Sequence, residues 1–316
     1  MLGLLVHSCE SVPLSGDTSE ADGPRQSRAG ASDLAEKRFA PTGEAMSHVA
    51  SPALALPPAV AQAAPNPANG PSARFFAEIG LAPGMRVLDV GCGNGDLSRL
   101  VARLVGPDGE VIAIDRSPEA MAMGHTAEAG LQAAPIRYRQ ADLAGALPEL
   151  GRFDAIVGRR VLMYLPAAAA TLARLAALGK PGAILAFQEH GRAGLPAGLG
   201  PLTLHRRLYD WLWDTVAAEG GDPGLALRLV DLMRAAGHGI EVARSEGVLL
   251  QPGEPSFLAT LAQAMLPRMI ERGVTSADAL GLDTLADRLR EEHRAAAGTI
   301  VWDLAFLVSA RIARDA

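Results

Sequence analysis

The sequence predicts an α/β fold in which helices wrap a mostly parallel sheet. Three observations carry that expectation. From Ser72 onward strand-like and helix-like runs alternate, as successive β-α-β crossovers require. The first junction of strand and helix is a glycine-rich turn, Gly91-Cys92-Gly93-Asn94-Gly95. The helices that follow carry their own start and stop signals.

The strands are read at Arg86–Val90, Val111–Asp115, Ile136–Arg139, Ala155–Val157 and Ala183–Phe187. Between the first two, Leu97, Leu100, Val101, Leu104 and Val105 recur at the spacing of one helical face, and Gly106 ends that helix. Ser117-Pro118-Glu119 opens the next helix with an N-cap, a proline at the first helical position and an acid in the first turn. After Phe187 helical runs dominate, at about 201–218 and 224–236. Gly237 and Gly239 lead into a strand near Ile240–Leu250. Further helix is read over 255–272 and 276–296, and Ile300–Val308 is an apolar closing strand. One domain over residues 71–316, with helical cap elements at about 195–220 and 254–297, accounts for this pattern. Residues 1–70 are rich in Ser, Gly, Ala and Pro and show no sustained apolar period. Such a segment buries too little surface to offset its ordering entropy, and it is read as a disordered tail and Pro/Ala-rich linker.

Composition narrows the function. The chain has 316 residues and a formal net charge of -6, so it lacks the basic footprint of a protein that neutralises many phosphates. Nucleic acid and anionic membranes are therefore not expected partners. No apolar run approaches the ~20 residues of a membrane-spanning helix. The two cysteines, Cys9 and Cys92, stand far apart, which leaves no disulfide framework and no cysteine metal site. No metal is expected, and a reducing cytoplasm suits the chain.

A glycine-rich turn between a parallel strand and a helix lets the backbone approach a ligand and aims free amides at it. NAD and FAD sites use similar strings. Three carboxylates refine the reading. Asp89 ends the first strand two residues before Gly91. An unpaired acid there is costly to bury, and it points to a cationic or hydrogen-bond-donating ligand where a pyrophosphate would be repelled. Asp115 ends the second strand, where a carboxylate accepts ribose hydroxyls. Asp142 follows the third strand and is placed to accept from an adenine amino group. A helix cap is the structural alternative for Asp115 and Asp142. A dinucleotide-type third glycine is absent, since position 96 is aspartate.

The stretch from Leu81 to Gly93, LAPGMRVLDVGCG, resembles motif I of class I S-adenosylmethionine-dependent (SAM-dependent) methyltransferases, and the likeness runs over about residues 72–190. It is most similar to the group that holds the ubiquinone- and menaquinone-biosynthesis and natural-product small-molecule enzymes. The resemblance implies a Rossmann-like seven-stranded sheet, mostly parallel with an antiparallel last strand. It also implies that Gly91, Gly93 and Gly95 cradle the methionine and ribose portion of SAM and that Asp115 holds the ribose hydroxyls. Asp142 and Leu143 would flank the adenine, with Arg116 packed along it. Cys92 would be part of the turn, a reactive thiol at a helix N-terminus being its alternative. Arg159 falls where the family's cofactor-lining backbone passes, so it is read as a partner for the cofactor carboxylate or an anionic acceptor, or else as a solvated arginine.

The expected acceptor is a small molecule. After the fourth strand the chain reads Gly158-Arg159-Arg160-Val161-Leu162-Met163-Tyr164, without the Asn/Asp-Pro-Pro-aromatic string of methyltransferases that act on amino groups and bases. His190 and Glu189, at the end of the fifth strand, are the candidate catalytic bases, since open α/β sheets place ligands at the carboxyl ends of their strands. On the helix near 201–218, Leu204, Leu208, Trp211, Leu212 and Thr215 form one stripe, expected on the sheet. His205, Tyr209 and Trp213 form another, whose aromatic wall would suit an apolar or aromatic acceptor. The reading is SAM-dependent methyl transfer, with oxygen favoured over carbon and nitrogen. An NAD(P)-dependent oxidoreductase and a non-catalytic SAM-binding module are the alternatives.

Overall fold

In a computed structural model, the structure describes residues 66–125, 132–254 and 257–313. Most of the expected tail, residues 1–65, lies outside the described residues. Helix α1 (Asn69–Glu78) opens the fold, with Ala68 already buried before it. The folded part thus begins slightly before the expected boundary at residue 71.

Seven strands form one sheet in the order β3-β2-β1-β4-β5-β7-β6: β1 (Arg86–Val90), β2 (Glu110–Asp115), β3 (Ile136–Gln140), β4 (Phe153–Arg159), β5 (Gly179–His190), β6 (Gly239–Leu250) and β7 (Ile300–Arg311). β7 runs antiparallel to both neighbours, β5 and β6, and the other six strands are parallel. β1 to β5 lie within one or two residues of their expected starts except β5, which begins four residues earlier.

Burial explains the strand composition. Val87, Leu88, Asp89 and Val90 of β1 are all buried, because helices cover both faces. β6 instead alternates in exposure as the edge strand. Helix α2 (Asp96–Val105) buries Leu97, Val101, Ala102 and Val105 on one side, and the Gly106 amide closes it on the Ala102 carbonyl. Helix α3 (Pro118–His125) starts as the sequence indicates, with the Ala120 amide donating to the Ser117 hydroxyl at 3.1 Å. α4 (Ala168–Ala176) lies between β4 and β5.

The chain winds from β1 outward to β3 and then crosses back to β4 on the other side of β1. The carboxyl ends of β1 and β4 therefore flank a topological switch point, where open sheets hold ligands. The cap follows β5: α5 (Thr203–Ala218), a short 3-10 turn with α6 (Leu229–Ala235), then α7 (Phe257–Glu271), α8 (Ala277–Leu280) and α9 (Leu282–Ala295) between β6 and β7. The run expected to be one helix over 276–296 is broken at Gly281, whose φ of 60° is left-handed. A buried ion pair between Arg268 of α7 and Glu219, just past α5, joins two of the cap helices. Among the described residues no helix is long and apolar enough to cross a membrane.

Candidate cofactor and acceptor site

The turn after β1 requires its glycines. Gly91, Gly93 and Gly95 have φ of 66°, 51° and 77°. A Cβ on Gly91 would come within 2.5 Å of the Val161 side chain, and one on Gly95 would strike the Tyr138 hydroxyl. A Cβ on Gly93 would meet nothing within 4 Å, so this residue borders open space. Cys92 is buried between them, and burial together with the Asp89 and Asp115 carboxylates pushes its thiol far up. Those surroundings are the reverse of an activated thiol's.

Asp89 is completely buried. Its Oδ2 accepts from the Ser98 hydroxyl at 2.6 Å, and its Oδ1 is buried without a hydrogen-bond partner. Burial raises its pKa to about 7, against the lowering effects of Ser98 and Arg159. A carboxylate half satisfied at the switch point fits a ligand that brings a positive charge or donors.

Asp115 joins the turn to β2: its Oδ2 accepts the Gly93 amide and its Oδ1 the Ser117 amide, both at 2.9 Å. Each oxygen keeps a further acceptor site. The structure thus brings Asp89, the glycine turn and Asp115 together. Asp142 lies further along this edge, exposed, with Oδ1 accepting the Ala144 amide at 2.8 Å in a turn that no helix follows, so it is not the helix cap that was its alternative. Leu143 is buried, and its carbonyl accepts from Arg174. Arg116 is exposed, and its carbonyl accepts from Gln140.

At the end of β4, Arg159 is held rather than solvated. Its Nη1 donates to Asn69 Oδ1 at 2.7 Å and to the Ser72 hydroxyl at 3.1 Å, both on α1, while Nη2 lies 3.7 Å from Asp96. Burial, then the neighbouring Arg160, lower its pKa to about 10.

The expectation that His190 faces the cleft is not met. The ring is 1% exposed and both nitrogens are occupied. Gln188 Nε2 donates to His190 Nε2 at 3.1 Å, which leaves the proton on Nδ1 to donate to Asp303 Oδ2 at 2.7 Å. Gln188 Oε1 in turn accepts from the Ser72 hydroxyl at 2.6 Å. A buried polar chain thus runs from Arg159 through Ser72, Gln188 and His190 to Asp303. Burial lowers the His190 pKa to about 4, with Arg160 adding to the shift. So pinned, the ring has no free nitrogen turned to the cleft.

Glu189 remains as a candidate base. It is fully buried, with Oε1 accepting the Val161 and Leu162 amides at 3.0 and 2.9 Å, and its Oε2 makes no hydrogen bond. Burial raises its pKa to about 7, despite the amides and Arg160. That value suits proton transfer at neutral pH.

The second stripe of α5 is mostly core. Tyr209 is 1% exposed, packs edge-on to Trp302 and Trp213, and donates its hydroxyl to the Gly191 carbonyl at 3.1 Å. Trp211, assigned to the sheet-facing stripe, is half-buried and lines an open groove outside α5. His205 of the second stripe lines a cavity of about 700 Å³ between α1, the end of β6, α7 and α9. Leu250, Phe257, Leu258 and Leu289 supply apolar walls, and Asn69, the partner of Arg159, stands at its margin. Among the described residues no group of three or more His, Cys, Asp or Glu is placed to hold a metal ion.

Comparison with known proteins agrees with this geometry. Residues 81–221 match the family model described as a methyltransferase domain. A trans-aconitate 2-methyltransferase from Methylobacterium radiotolerans is 36% identical over 174 residues, 53% of this chain and 60% of that protein. A ubiquinone biosynthesis O-methyltransferase from Xanthomonas campestris pv. campestris is 41% identical over 108 residues, 33% of this chain and 42% of its own length. The chain therefore spans about 60% or less of these relatives. The solved YcgJ protein from Bacillus subtilis superposes with a TM-score of 0.50 at 13% identity, over 78% of this chain and all of that one, a likeness of fold. Residues 81–221 thus resemble a methyltransferase domain and carry β1 to β5 of the seven-stranded Rossmann-like sheet. The matched segment stops just past α5, so α6 to α9, β6 and β7 lie outside it.

Proposed function

We propose that this chain transfers the methyl group of SAM to a small-molecule acceptor, with oxygen favoured over carbon and nitrogen. One observation carries the cofactor assignment: the buried, unpartnered Oδ1 of Asp89 at the switch point. An ammonium group satisfies that oxygen, whereas the phosphates of a dinucleotide would be repelled by it. When bound, SAM supplies an already activated methyl electrophile.

The chain's own residues then bind and orient. Gly91, Gly93 and Gly95 keep the turn open, and Asp115 has acceptor capacity left for ribose hydroxyls beyond its two backbone amides. Asp142, Leu143 and Arg116 would border the adenine. Arg159, anchored to α1, places positive charge beside Asp96 and Asp89 and would face the cofactor carboxylate. Glu189 is the group suited to take a proton from a hydroxyl acceptor. The cavity under α7 and α9 is the room for that acceptor, and its apolar walls suit an apolar or aromatic body. The names of the relatives, two small-molecule methyltransferases of which one is an O-methyltransferase, support the same class.

Calorimetry tests the reading. SAM and S-adenosylhomocysteine are expected to bind and NAD not to; binding of NAD alone would replace this reading with a nucleotide-dependent oxidoreductase. Tight SAM binding with no methylated product from broad metabolite extracts would favour a non-catalytic SAM-binding module.

A further inference from the structure

Arg160 is the one residue at the end of β4 whose charge nothing in the site has accounted for. Its φ of 56° is left-handed, a conformation that a long side chain adopts only when the surroundings impose it. The backbone there is committed: the Arg160 amide donates to the Gln188 carbonyl at 2.9 Å, after which the chain turns into the 3-10 segment Leu162–Tyr164. This turn seats Val161 against Gly91 and delivers the amides that Glu189 accepts. It also carries the Arg160 guanidinium close enough to Glu189, His190 and Arg159 to bias the protonation of all three.

The two adjacent arginines differ in one respect. Arg159 is anchored by Asn69, Ser72 and Asp96 and already has a role in the proposed cofactor site. Arg160 has no acidic partner within ion-pair distance among the described residues, and its Nε is buried with no hydrogen-bond acceptor. Glu189 makes no ion pair with it: Oε1 accepts the amides of Val161 and Leu162, and Oε2 has no hydrogen-bond partner. An arginine cannot shed its proton to escape burial, so an unsatisfied guanidinium edge calls for an anion from elsewhere. The sheet order decides where that anion would be. β4 and β5 lie between β1, which carries the cofactor turn, and the pair β7 and β6, and the end of β6 borders the 700 Å³ cavity. Arg160, just past the end of β4, therefore follows a strand that lies between the strand of the cofactor turn and the strand that borders the cavity.

We propose that Arg160 recognises the acceptor through a carboxylate, so that this chain methylates small carboxylic acids. The inference rests on the proposed methyltransferase reading and adds the substrate class. The planar fork of Nε and one Nη matches a carboxylate's two oxygens, and a lysine would match only one. The left-handed backbone follows as the local cost of aiming that fork.

The test uses the full chain with SAM labelled in its methyl group. Metabolite extracts are split by anion exchange into retained acids and an unretained fraction, and products are followed by mass spectrometry. Label is expected in products of the retained acids, and still there after phosphatase treatment of the extract. For the acid so identified, Arg160→Lys is expected to raise KM at least tenfold with a smaller change in kcat. Arg160→Gly is expected to lower kcat/KM at least a hundredfold. Because glycine takes a positive φ without strain, that variant should melt at the wild-type temperature or above and bind S-adenosylhomocysteine unchanged.

The proposal is overturned by labelled products from the unretained fraction alone, by products that phosphatase abolishes, or by wild-type KM in Arg160→Gly. It is overturned as well if SAM binds but no fraction yields product. Failure of SAM itself to bind would instead remove the methyltransferase reading beneath it.

Discussion

Glu189 holds the amide of Leu162 at 2.9 Å with one carboxylate oxygen while the other, equally buried, holds nothing. Burial outweighs the bound amides and lifts the Glu189 pKa from 4.5 to about 7, so between those values the folded protein keeps a proton that the unfolded chain has released. The stability gained from this group is complete below pH 4.5 and is lost as pH rises through 7, a span worth roughly 3 kcal/mol. Glu189→Gln keeps an oxygen for the two amides and cannot ionise. Urea unfolding at pH 5 and pH 8 should therefore show the variant gaining about 1–3 kcal/mol on the wild type at the higher pH. Equal pH dependence in the two proteins would count against the assignment. In turnover, the rate limb near pH 7 should vanish with the same substitution if Glu189 takes the acceptor's proton.

Asp89 faces a similar choice, with Ser98 donating to one oxygen at 2.6 Å. Its pKa of about 7 means that lowering the pH neutralises the group before a cationic ligand can use it. SAM affinity should weaken progressively below pH 7. Asp89→Asn should lower it by about tenfold or more, some 1.4 kcal/mol, and abolish the pH dependence. Calorimetry across pH 5.5–8.5 reads both effects, and a flat profile in the wild type would refute the assignment of Asp89 to the ammonium.

Asp115 ties Gly93 and Ser117 together through backbone amides. Asp115→Ala would remove the ribose acceptor and also release the middle of the glycine turn. S-adenosylhomocysteine should bind several-fold more weakly or worse. Unchanged affinity would show that these oxygens serve the loop alone.

How far the sequence exposed this site depends on how local each signal is. The glycine turn, Asp89 and Asp115 belong to one β-α-β unit, where register and turn chemistry are set within a few residues, and each lies where its pattern indicates. Helices α1 and α4 are hard to read because no capping side chain opens them and, unlike α2 and α5, they carry few large apolar residues to mark a period. The stripe on α5 was visible as a period, but what it packs against, Trp302 of the last strand, is a long-range fact. The orientation of His190 was hidden for the same reason. Its partner Asp303 sits 113 residues away on β7, and only the antiparallel pairing of β5 with β7 brings the two together. Arg160 carried a signal that was readable only in part: two arginines after a buried strand are conspicuous, but which of them is already paired depends on α1.

His190 and Asp303 make the opposite prediction to Glu189. Burial lowers the histidine's pKa from 6.5 to about 4, so in that interval the unfolded chain binds a proton that the folded protein refuses. Its contribution to stability is present above pH 6.5 and is lost as pH falls toward 4. His190→Ala leaves Oδ2 of Asp303 without its donor, while Oδ1 keeps the Leu304 amide, and breaks the chain of hydrogen bonds to Gln188 and Ser72. A loss of about 1–3 kcal/mol is expected, the cost of a buried acceptor left without a donor, since the neutral ring supplies a hydrogen bond and no counter-charge. His190→Ala, Asp303→Asn double-mutant analysis separates structure from catalysis: replacing Asp303 as well should recover part of the stability, because no charge is then stranded. If His190 were instead a catalytic base, Asp303→Asn alone would shift the pH dependence of kcat, and the folded protein would lose activity without losing stability in His190→Ala.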